Sequence, residues 1–349
     1  MKIALDVSYA LGENLSGLGV YSRELTQALA ALDTGVEWTW VYRPQHWRSV
    51  CCGQSPGAVK RRFLWESRAP GCGLFHGLGQ RLPAVFDRLP RHARTVVTFH
   101  DLFVMTRQYS DESFRKRFAL QAQEAARRAD AIIAVSRFTA GQVEDLLDVD
   151  AQRIHVVPHG VRPLPPTAGG IVREPMILSV GALQLRKNTL GLVHAFERLP
   201  CEWRLVLAGS AGHGYLETIK PAIQASPRSE GIETPGWVDD AALARLYARA
   251  SVFAFPSLDE GFGIPVLEAM AAGVPVLASN TSSLPEVCGD AALLVDPNDA
   301  EAIAHGLTRL IEDERLREDL IERGKRRAAE FTWEACARRT WDVYQTLLR

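Results

Sequence analysis

The stretch SVFAFPSLDEGFGIPVLEAMAAGVPVLA, residues 251–278, predicts a strand, a glycine-containing loop, a short helix and a second strand. The apolar run Val252–Phe255 is typical of a buried strand, and Pro265 is suited to the first position of a helix. Gly273 is placed to end that helix, after which Val274–Ala278 returns to the sheet. A strand–helix–strand unit of this kind predicts parallel strands joined by right-handed crossovers.

The same alternation runs through the rest of the chain. Further strands are predicted at Ile3–Val7, Trp38–Tyr42, Thr95–Phe99, Ala131–Val135, His155–Val157, Met176–Val180 and Trp203–Ala208, and helices at Val20–Leu32 and Phe114–Arg128. Proline and glycine dominate residues 163–170, which predicts a linker near the middle of the chain. We therefore expect an α/β protein with two Rossmann-like doubly wound domains, residues 1–165 and 171–331.

Composition narrows the class of protein. The 349 residues are 47% hydrophobic and 23% charged, as in ordinary globular proteins, and a net charge of −1 gives no reason to expect a nucleic-acid partner. The six cysteines form no C-x-x-C pair and lack zinc-ligand spacing, which favours a reducing compartment. With neither a signal-peptide core nor an apolar run of membrane-spanning length, we expect a cytoplasmic protein.

The loop between the strand and the helix carries the most specific chemistry. Backbone N–H groups of Gly261, Phe262 and Gly263 lie at a helix N-terminus, where they can hold a diphosphate. Glu260 in the loop and Glu268 in the helix are then placed to accept hydrogen bonds from sugar and ribose hydroxyls. The alternative for Glu268, an acid that stabilises the helix dipole from the first turn, explains only one of the two glutamates.

Other candidates follow predicted strands, where ligands bind in parallel sheets. Arg186 and Lys187 suit an anionic group, although an isolated basic pair is usually a solvent-exposed turn. His100 could reach a ligand or merely cap the sheet edge. Gly17 and Gly19 could admit a phosphate or form a simple turn, since the full G-x-G-x-x-G fingerprint is absent. Asp148-Val149-Asp150 follows a helical stretch rather than a strand, so we expect a turn there and no metal site.

With these residues in place, the sequence resembles the retaining glycosyltransferases of family four, which have the GT-B fold, two Rossmann-like domains facing each other across a cleft. The element from Glu260 to Glu268 is the most specific part of the resemblance. The supporting pieces are Gly17 with Gly19, His100-Asp101-Leu102, Val135–Thr139, Val157–Val161, Arg186 with Lys187, and Gly236 with Val238.

The resemblance implies a role for each matching residue. Glu260 would bind the donor sugar, Glu268 the ribose, and Arg186 with Lys187 the diphosphate. Backbone near Trp237 and Val238 would face the base, Gly17 would let the first domain approach the phosphates, and His100 would lie against the sugar on the acceptor side. Many relatives have Arg or Thr where this chain has Ala182, which leaves more of the diphosphate contact to Arg186. The C-terminal helix, about residues 332–349, would cross back to the first domain through Trp341, Tyr344 and Leu348.

The implied activity is transfer of a hexose with retention, without a metal or other cofactor, by same-face attack in which the departing phosphate oxygen takes the acceptor proton. Sequence around Thr98–Leu102 and Ser279–Val287 is similar to bacterial mannosyltransferases that use GDP-mannose in cell-surface polysaccharide synthesis. A UDP-sugar donor, a nucleotide-sugar epimerase and a non-catalytic nucleotide-sugar-binding subunit remain open, whereas the incomplete fingerprint disfavours an NAD oxidoreductase. The acceptor would be a glycan or lipid-linked glycan. Basic residues could bring the protein to an anionic membrane or simply form a solvated face, namely Arg43, Arg48, Lys60, Arg61, Arg62, Arg115, Lys116 and Arg117.

Overall fold

The computed structural model describes residues 1–12, 15–43, 59–64, 71–80, 89–90, 92–106, 110–162, 164–166 and 171–349. The chain divides into two compact units, one of Met1–Gly160 with Thr332–Arg349 and one of Val161–Phe331. The division falls just before the segment in which the sequence places a linker. Residue 163 and residues 167–170 of that segment lie outside the described residues.

The first unit contains a parallel sheet with helices packed on it. Its strands are β1 (Lys2–Asp6), β2 (Glu37–Tyr42), β3 (Lys60–Phe63), β4 (Leu74–Gly77), β5 (Arg94–Phe99), β6 (Ala131–Ala134) and β7 (Ile154–Val156). They lie in the order β3-β2-β1-β4-β5-β6-β7. Among the described residues before the unit boundary, the helices are α1 (Gly17–Ala31), α2 (Phe103–Thr106), α3 (Glu112–Arg128) and α4 (Arg137–Leu147).

The second unit has the same kind of sheet. Its strands are β8 (Glu174–Val180), β9 (Arg204–Ala208), β10 (Ile232–Gly236), β11 (Ala250–Phe255), β12 (Val276–Ser279) and β13 (Leu293–Val295), in the order β10-β9-β8-β11-β12-β13. Its helices are α5 (Thr189–Phe196), α6 (Lys220–Ala225), α7 (Asp240–Arg249), α8 (Ile264–Ala271), α9 (Leu284–Cys288), α10 (Ala300–Glu312) and α11 (Glu314–Ala329). Strand order reverses between β8 and β11, the point at which doubly wound sheets bind ligands.

The last helix, α12 (Trp333–Leu348), belongs to the first unit. Tyr344 is fully buried, and Trp341 and Leu348 pack against the same hydrophobic core as α1. The Trp341 ring also meets the Trp38 ring edge-on at 6.3 Å. The three residues predicted to pack this helix therefore all contact the core, namely Trp341, Tyr344 and Leu348.

Gly160 is fixed by its close approach to the start of α12. A Cβ atom at this position would lie 2.3 Å from the Trp333 backbone nitrogen and 2.7 Å from the Thr332 carbonyl carbon. Backbone atoms cannot move away cheaply, so we expect Gly160→Ala to destabilise the protein by about 1–3 kcal/mol in chemical denaturation. Gly141→Ala is the matched control, because a Cβ there meets nothing within 4 Å and alanine favours the helix by about 1 kcal/mol. Equal stability of the two variants would contradict this account.

Candidate functional site

Arg186 and Lys187 lie in a short turn after β8, at the carboxyl edge of the second unit's sheet. The turn spans Leu185–Lys187 and ends at Asn188, whose side chain caps α5. The backbone carbonyl of Arg186 accepts a hydrogen bond from the Leu258 N–H at 2.9 Å. The turn is thereby tied to the loop that follows β11, and both come from strands at the position where the strand order reverses.

Both cations meet the carboxylate of Glu260. Arg186 Nη1 lies 3.1 Å and Lys187 Nζ 2.5 Å from Glu260 Oε1, and the three side chains are between 8% and 16% exposed. Arg186 also donates to the Asp259 carbonyl, while Lys187 Nζ lies 4.5 Å from the centre of the Phe255 ring. The interpretation of this pair as a solvent-exposed turn is therefore wrong.

The ionic cluster brings two largely buried cations together. Burial raises the pKa of Glu260, but the charges of Arg186 and Lys187 outweigh it and hold that pKa below its usual value. Two cations therefore lie against the ionised Glu260 carboxylate in a nearly closed environment. Burying three charges is a poor way to gain stability, so the arrangement is better explained by a ligand that brings negative charge.

The loop between Glu260 and α8 is held by two serines. The Glu260 N–H donates to Ser282 Oγ at 3.1 Å, and Ser283 Oγ lies 2.9 and 3.0 Å from the carbonyl oxygens of Glu260 and Phe262. Gly263 caps the helix with φ +105°, and a Cβ there would lie 2.7 Å from the Leu284 side chain. Glycine is required for this conformation, and it leaves no side chain over the first turn of α8.

Helix α8 differs from expectation by one residue. It begins at Ile264, so Pro265 occupies its second position rather than its first. Glu268 lies beyond the first turn and is 4% exposed, so the helix-dipole interpretation of this residue is wrong. Its Oε1 lies 3.2 Å from Arg162 Nη2 and its Oε2 accepts from the Tyr247 hydroxyl at 3.1 Å.

The carboxyl ends of β9 and β10 complete the edge. Gly236 ends β10 with φ +77°, and the indole of Trp237 after it is 43% exposed. Val238 is half-buried and is followed by Asp239, which caps α7. A cavity of about 460 Å³ adjoins the turn of Arg186 and is lined by Leu185 and the loop Ala211–Thr218. The region expected to face the base therefore lies at the same sheet edge as the cations.

In the first unit, His100 follows β5 within a group of aromatic rings. Its Nε2 lies 2.9 Å from the Leu78 carbonyl oxygen, and its ring stacks on His159 with a centroid distance of 5.4 Å. The Tyr21 ring meets it edge-on at 4.6 Å. Because a carbonyl oxygen can only accept, Nε2 carries the hydrogen, and in the neutral ring Nδ1 is the acceptor.

The two glycines of the first unit have different surroundings. Gly17 begins α1, is exposed, and would meet nothing within 4 Å with a Cβ. Gly19 is buried, and a Cβ there would lie 2.8 Å from the Tyr9 carbonyl oxygen. Packing thus accounts for Gly19, whereas packing among the described residues of its unit gives no reason for glycine at position 17.

Several of the basic residues are neutralised within the first unit. Arg43 lies 3.4 Å from buried Asp6 and 3.1 Å from the Tyr9 hydroxyl, and Lys60 pairs with Glu37 at 2.7 Å. On α3, Lys116 pairs with Glu112 at 2.7 Å. Arg48 lies outside the described residues. The Asp6–Arg43 pair, at the carboxyl ends of β1 and β2, was not predicted as a site.

Neither a metal cluster nor a membrane-spanning helix is found in the part of the chain that the structure describes. Asp148 ends α4 with a left-handed φ of +53°, and the Asp150 carboxylate accepts from the Gln152 N–H at 2.9 Å. Both aspartates therefore serve the turn between α4 and β7.

Two buried histidines, His76 and His159, and the partly buried His100 predict that acid destabilises the protein. Burial lowers the pKa of His100 to about 4 and that of His76 to about 3, and burial followed by the charge of His100 lowers that of His159 well below 6.5. Below pH 6.5 the unfolded chain takes up protons that the folded chain refuses, so stability is lost as pH falls. We expect a loss of up to about 1.4 kcal/mol per pH unit for each histidine between pH 6 and 5. Denaturation with urea at each pH measures this loss of stability. His76→Gln should reduce the slope of unfolding free energy against pH, whereas the same change at the exposed His213 should not.

Comparisons with known proteins match both halves of the chain. The family model for glycosyl transferases group 1 matches residues 168–327, and that for glycosyltransferase family 4 matches residues 15–163. The O-antigen chain mannosyltransferase B of Escherichia coli is 34% identical over 303 residues, which cover 82% of this chain and 78% of that protein.

Two solved structures share the fold over nearly the full length of both chains. Sucrose-phosphate synthase from Thermosynechococcus elongatus has a TM-score of 0.82 at 22% identity and covers 100% of this chain and 99% of that one. Anabaena HepE, solved in complex with UDP-glucose, has a TM-score of 0.75 at 18% identity, with 99% and 98% covered. These similarities, together with the two parallel sheets, confirm the predicted GT-B fold class.

Proposed function

Because the chain belongs to glycosyltransferase family 4, we propose that it transfers mannose, with retention, from GDP-mannose to a hydroxyl of a cell-surface polysaccharide or glycolipid. The observation that carries the donor class is the buried cluster of Arg186, Lys187 and Glu260. Its two cations suit a diphosphate, and its carboxylate suits sugar hydroxyls. Mannose as the sugar is supported by the relative that acts as an O-antigen mannosyltransferase.

In the proposed reaction the bond between the anomeric carbon and the phosphate oxygen breaks while the acceptor oxygen bonds to the same face of that carbon. The acceptor proton passes to the departing phosphate oxygen, so no metal and no covalent enzyme intermediate is needed. Arg186 and Lys187 stabilise the charge that develops on the diphosphate, and their fixed positions lower the cost of reorganisation. A trapped glycosyl-enzyme adduct would contradict this mechanism.

His100 contributes a hydrogen-bond acceptor. With its Nε2 hydrogen committed to Leu78 and its pKa held near 4 by burial, the ring is neutral at physiological pH. Its Nδ1 can accept from a sugar hydroxyl, and it does not serve as a proton donor. His100→Ala should lower kcat and leave the affinity for nucleoside diphosphate largely unchanged.

The test begins with the donor. Thermal-shift measurements against GDP-mannose, GDP-fucose, UDP-glucose, UDP-N-acetylglucosamine, GDP and UDP identify the base and sugar, and ¹H NMR of the product with a mannose-terminated oligosaccharide identifies the anomeric configuration. Stabilisation by UDP-sugars alone would overturn the GDP-mannose assignment. Conversion of the donor to a sugar epimer without acceptor would indicate an epimerase, and binding without turnover would indicate a non-catalytic subunit.

Contact with an anionic membrane surface is a further part of the proposal, supported by the exposed Arg117, which lies beside Arg115 and Lys116 on α3. Co-sedimentation with phosphatidylglycerol vesicles, compared with phosphatidylcholine vesicles, tests it. Equal binding to both would remove the membrane contact without affecting the proposed chemistry.

A further inference from the structure

Arg162 joins two parts of the second unit that the chain keeps far apart. Its Nη1 lies 2.7 Å from Asp240 Oδ1, at the start of α7, and its Nη2 lies 3.2 Å from Glu268 Oε1, within α8. The arginine side chain is only 12% exposed. One guanidinium therefore spans the segment that follows Trp237 and Val238 and the helix that follows the glycine loop.

The Glu268 carboxylate is held from both of its oxygens. Arg162 approaches Oε1 and the Tyr247 hydroxyl approaches Oε2 at 3.1 Å. An ionised carboxylate offers about four lone-pair positions, so two remain for further donors. Two acceptor positions on one rigid carboxylate match the two adjacent hydroxyls of a ribose.

Resting on the proposed function, in which Glu268 binds the ribose of the donor, we infer that Arg162 is a positioning residue for ribose recognition. It holds the Glu268 carboxylate in one orientation, and through Asp240 it fixes that carboxylate relative to the start of α7. Ribose hydroxyls then meet a preorganised acceptor rather than a carboxyl group that must be desolvated and turned on binding.

Arg162 also favours the ionised form of this acceptor. Burial raises the pKa of Glu268, Arg162 and Tyr247 oppose that rise, and the charge of Asp240 adds to it. Without the guanidinium, the pKa of this carboxyl rises further. A protonated carboxyl presents an O–H donor in place of one acceptor oxygen and loses part of its match to the diol.

Stability alone does not explain the arrangement. Asp240 is 46% exposed on its side chain, so its pair with Arg162 contributes little. The pair with Glu268 is buried, and its desolvation cost offsets much of the attraction. What the guanidinium secures is the geometry and charge of Glu268.

The experiment compares GDP with 2′-deoxy-GDP and 3′-deoxy-GDP by isothermal titration calorimetry on the full chain. We expect the unaltered protein to prefer GDP over each deoxy analogue by about tenfold or more, the value of a hydrogen bond to a charged group. Arg162→Gln should weaken the affinity for GDP by a similar factor and leave the affinities for the deoxy analogues nearly unchanged. The preference for GDP then shrinks to below about threefold. Arg249→Gln is the matched control, because it removes an arginine that pairs with Glu174 at 2.6 Å, a different carboxylate of the same unit.

A merely structural role would weaken GDP and both deoxy analogues equally, and that result would overturn the inference. Unchanged GDP affinity in Arg162→Gln would overturn it as well. Should Arg162→Gln fail to fold, Tyr247→Phe removes the other contact to the same carboxylate and should reduce the same preference. If the unaltered protein binds UDP but not GDP, the same series is run with uridine nucleotides. If the protein binds neither GDP nor UDP, the proposed function itself is refuted. That outcome is distinct from a failure of the inference about Arg162, which requires a bound nucleotide.

The pH dependence gives an independent readout. Because loss of Arg162 raises the pKa of Glu268, the affinity of Arg162→Gln for GDP should fall more steeply from pH 8 to pH 6 than that of the unaltered protein. Arg162→Lys keeps a positive charge but not the two-armed geometry, so it should restore the pH profile and only part of the ribose preference. Parallel pH profiles for Arg162→Gln and the unaltered protein would contradict this reasoning.

Discussion

Replacing Lys187 with alanine is expected to reduce donor turnover by about 10²–10³-fold while the protein stays folded. Lys187 Nζ lies 2.5 Å from Glu260 Oε1 and above the Phe255 ring, and the side chain is 16% exposed. In the alanine variant, a cation from solvent cannot take the place of this ammonium group. A leaving diphosphate gains negative charge as the glycosidic bond breaks, and a fixed ammonium group at this point stabilises the transition state more than the ground state. Release of nucleoside diphosphate from the donor, measured with saturating acceptor, gives kcat.

The fold should survive because Glu260 keeps Arg186 as a partner at 3.1 Å. Lys220→Ala is the control, since Lys220 is an exposed lysine of the same unit. A folded Lys187→Ala protein with near-normal kcat would show that the diphosphate is not held at this cluster. Loss of turnover in Lys220→Ala to the same extent would show that the assay reports overall charge and not the site.

The sequence predicts the strands that lie inside the sheets and misses most of those at the edges. Missed strands Lys60–Phe63, Ile232–Gly236 and Leu293–Val295 are all terminal in their sheets. An edge strand pairs on one side only, so it tolerates charged residues and even a proline, as in the sequences KRRF and IETPG. One strand inside a sheet, Leu74–Gly77, is also missed. It is only four residues long and contains a histidine and a glycine, which hide its apolar pattern.

The candidate site shows the same division between local and distant information. The glycine loop of residues 261–263, Arg186 and Lys187 could be proposed as a site because they follow predicted strands. Arg162 could not, because its partner Glu268 is 106 positions further along the chain and no spacing rule connects them. Asp6 and Arg43 pair across neighbouring strands and were likewise invisible as a pair. A long-range contact between two charged residues becomes predictable only once the strand order is known.

The conversion of Glu260 to glutamine is expected to separate binding from turnover. The amide keeps the size of the side chain, and the backbone contacts of residue 260 with Ser282 and Ser283 do not depend on the carboxylate. What disappears is the negative charge beside Arg186 and Lys187. We therefore expect GDP to bind as tightly as before or more tightly, although the free protein becomes less stable because two buried cations lose the Glu260 carboxylate.

Turnover should fall, in contrast to the affinity for GDP. A carboxylate accepts stronger hydrogen bonds from sugar hydroxyls than an amide does, and Glu260 also contacts the two cations that stabilise the departing diphosphate in the proposed reaction. We expect kcat to fall by about 10²-fold or more, with the affinity for GDP preserved in calorimetry at the same pH. Weaker GDP binding together with unchanged kcat would place Glu260 on the nucleotide and not on the sugar. Equal loss in both measurements, accompanied by a lower melting temperature in the presence of GDP, would mean that Glu260 acts only by holding Arg186 and Lys187 in the folded protein.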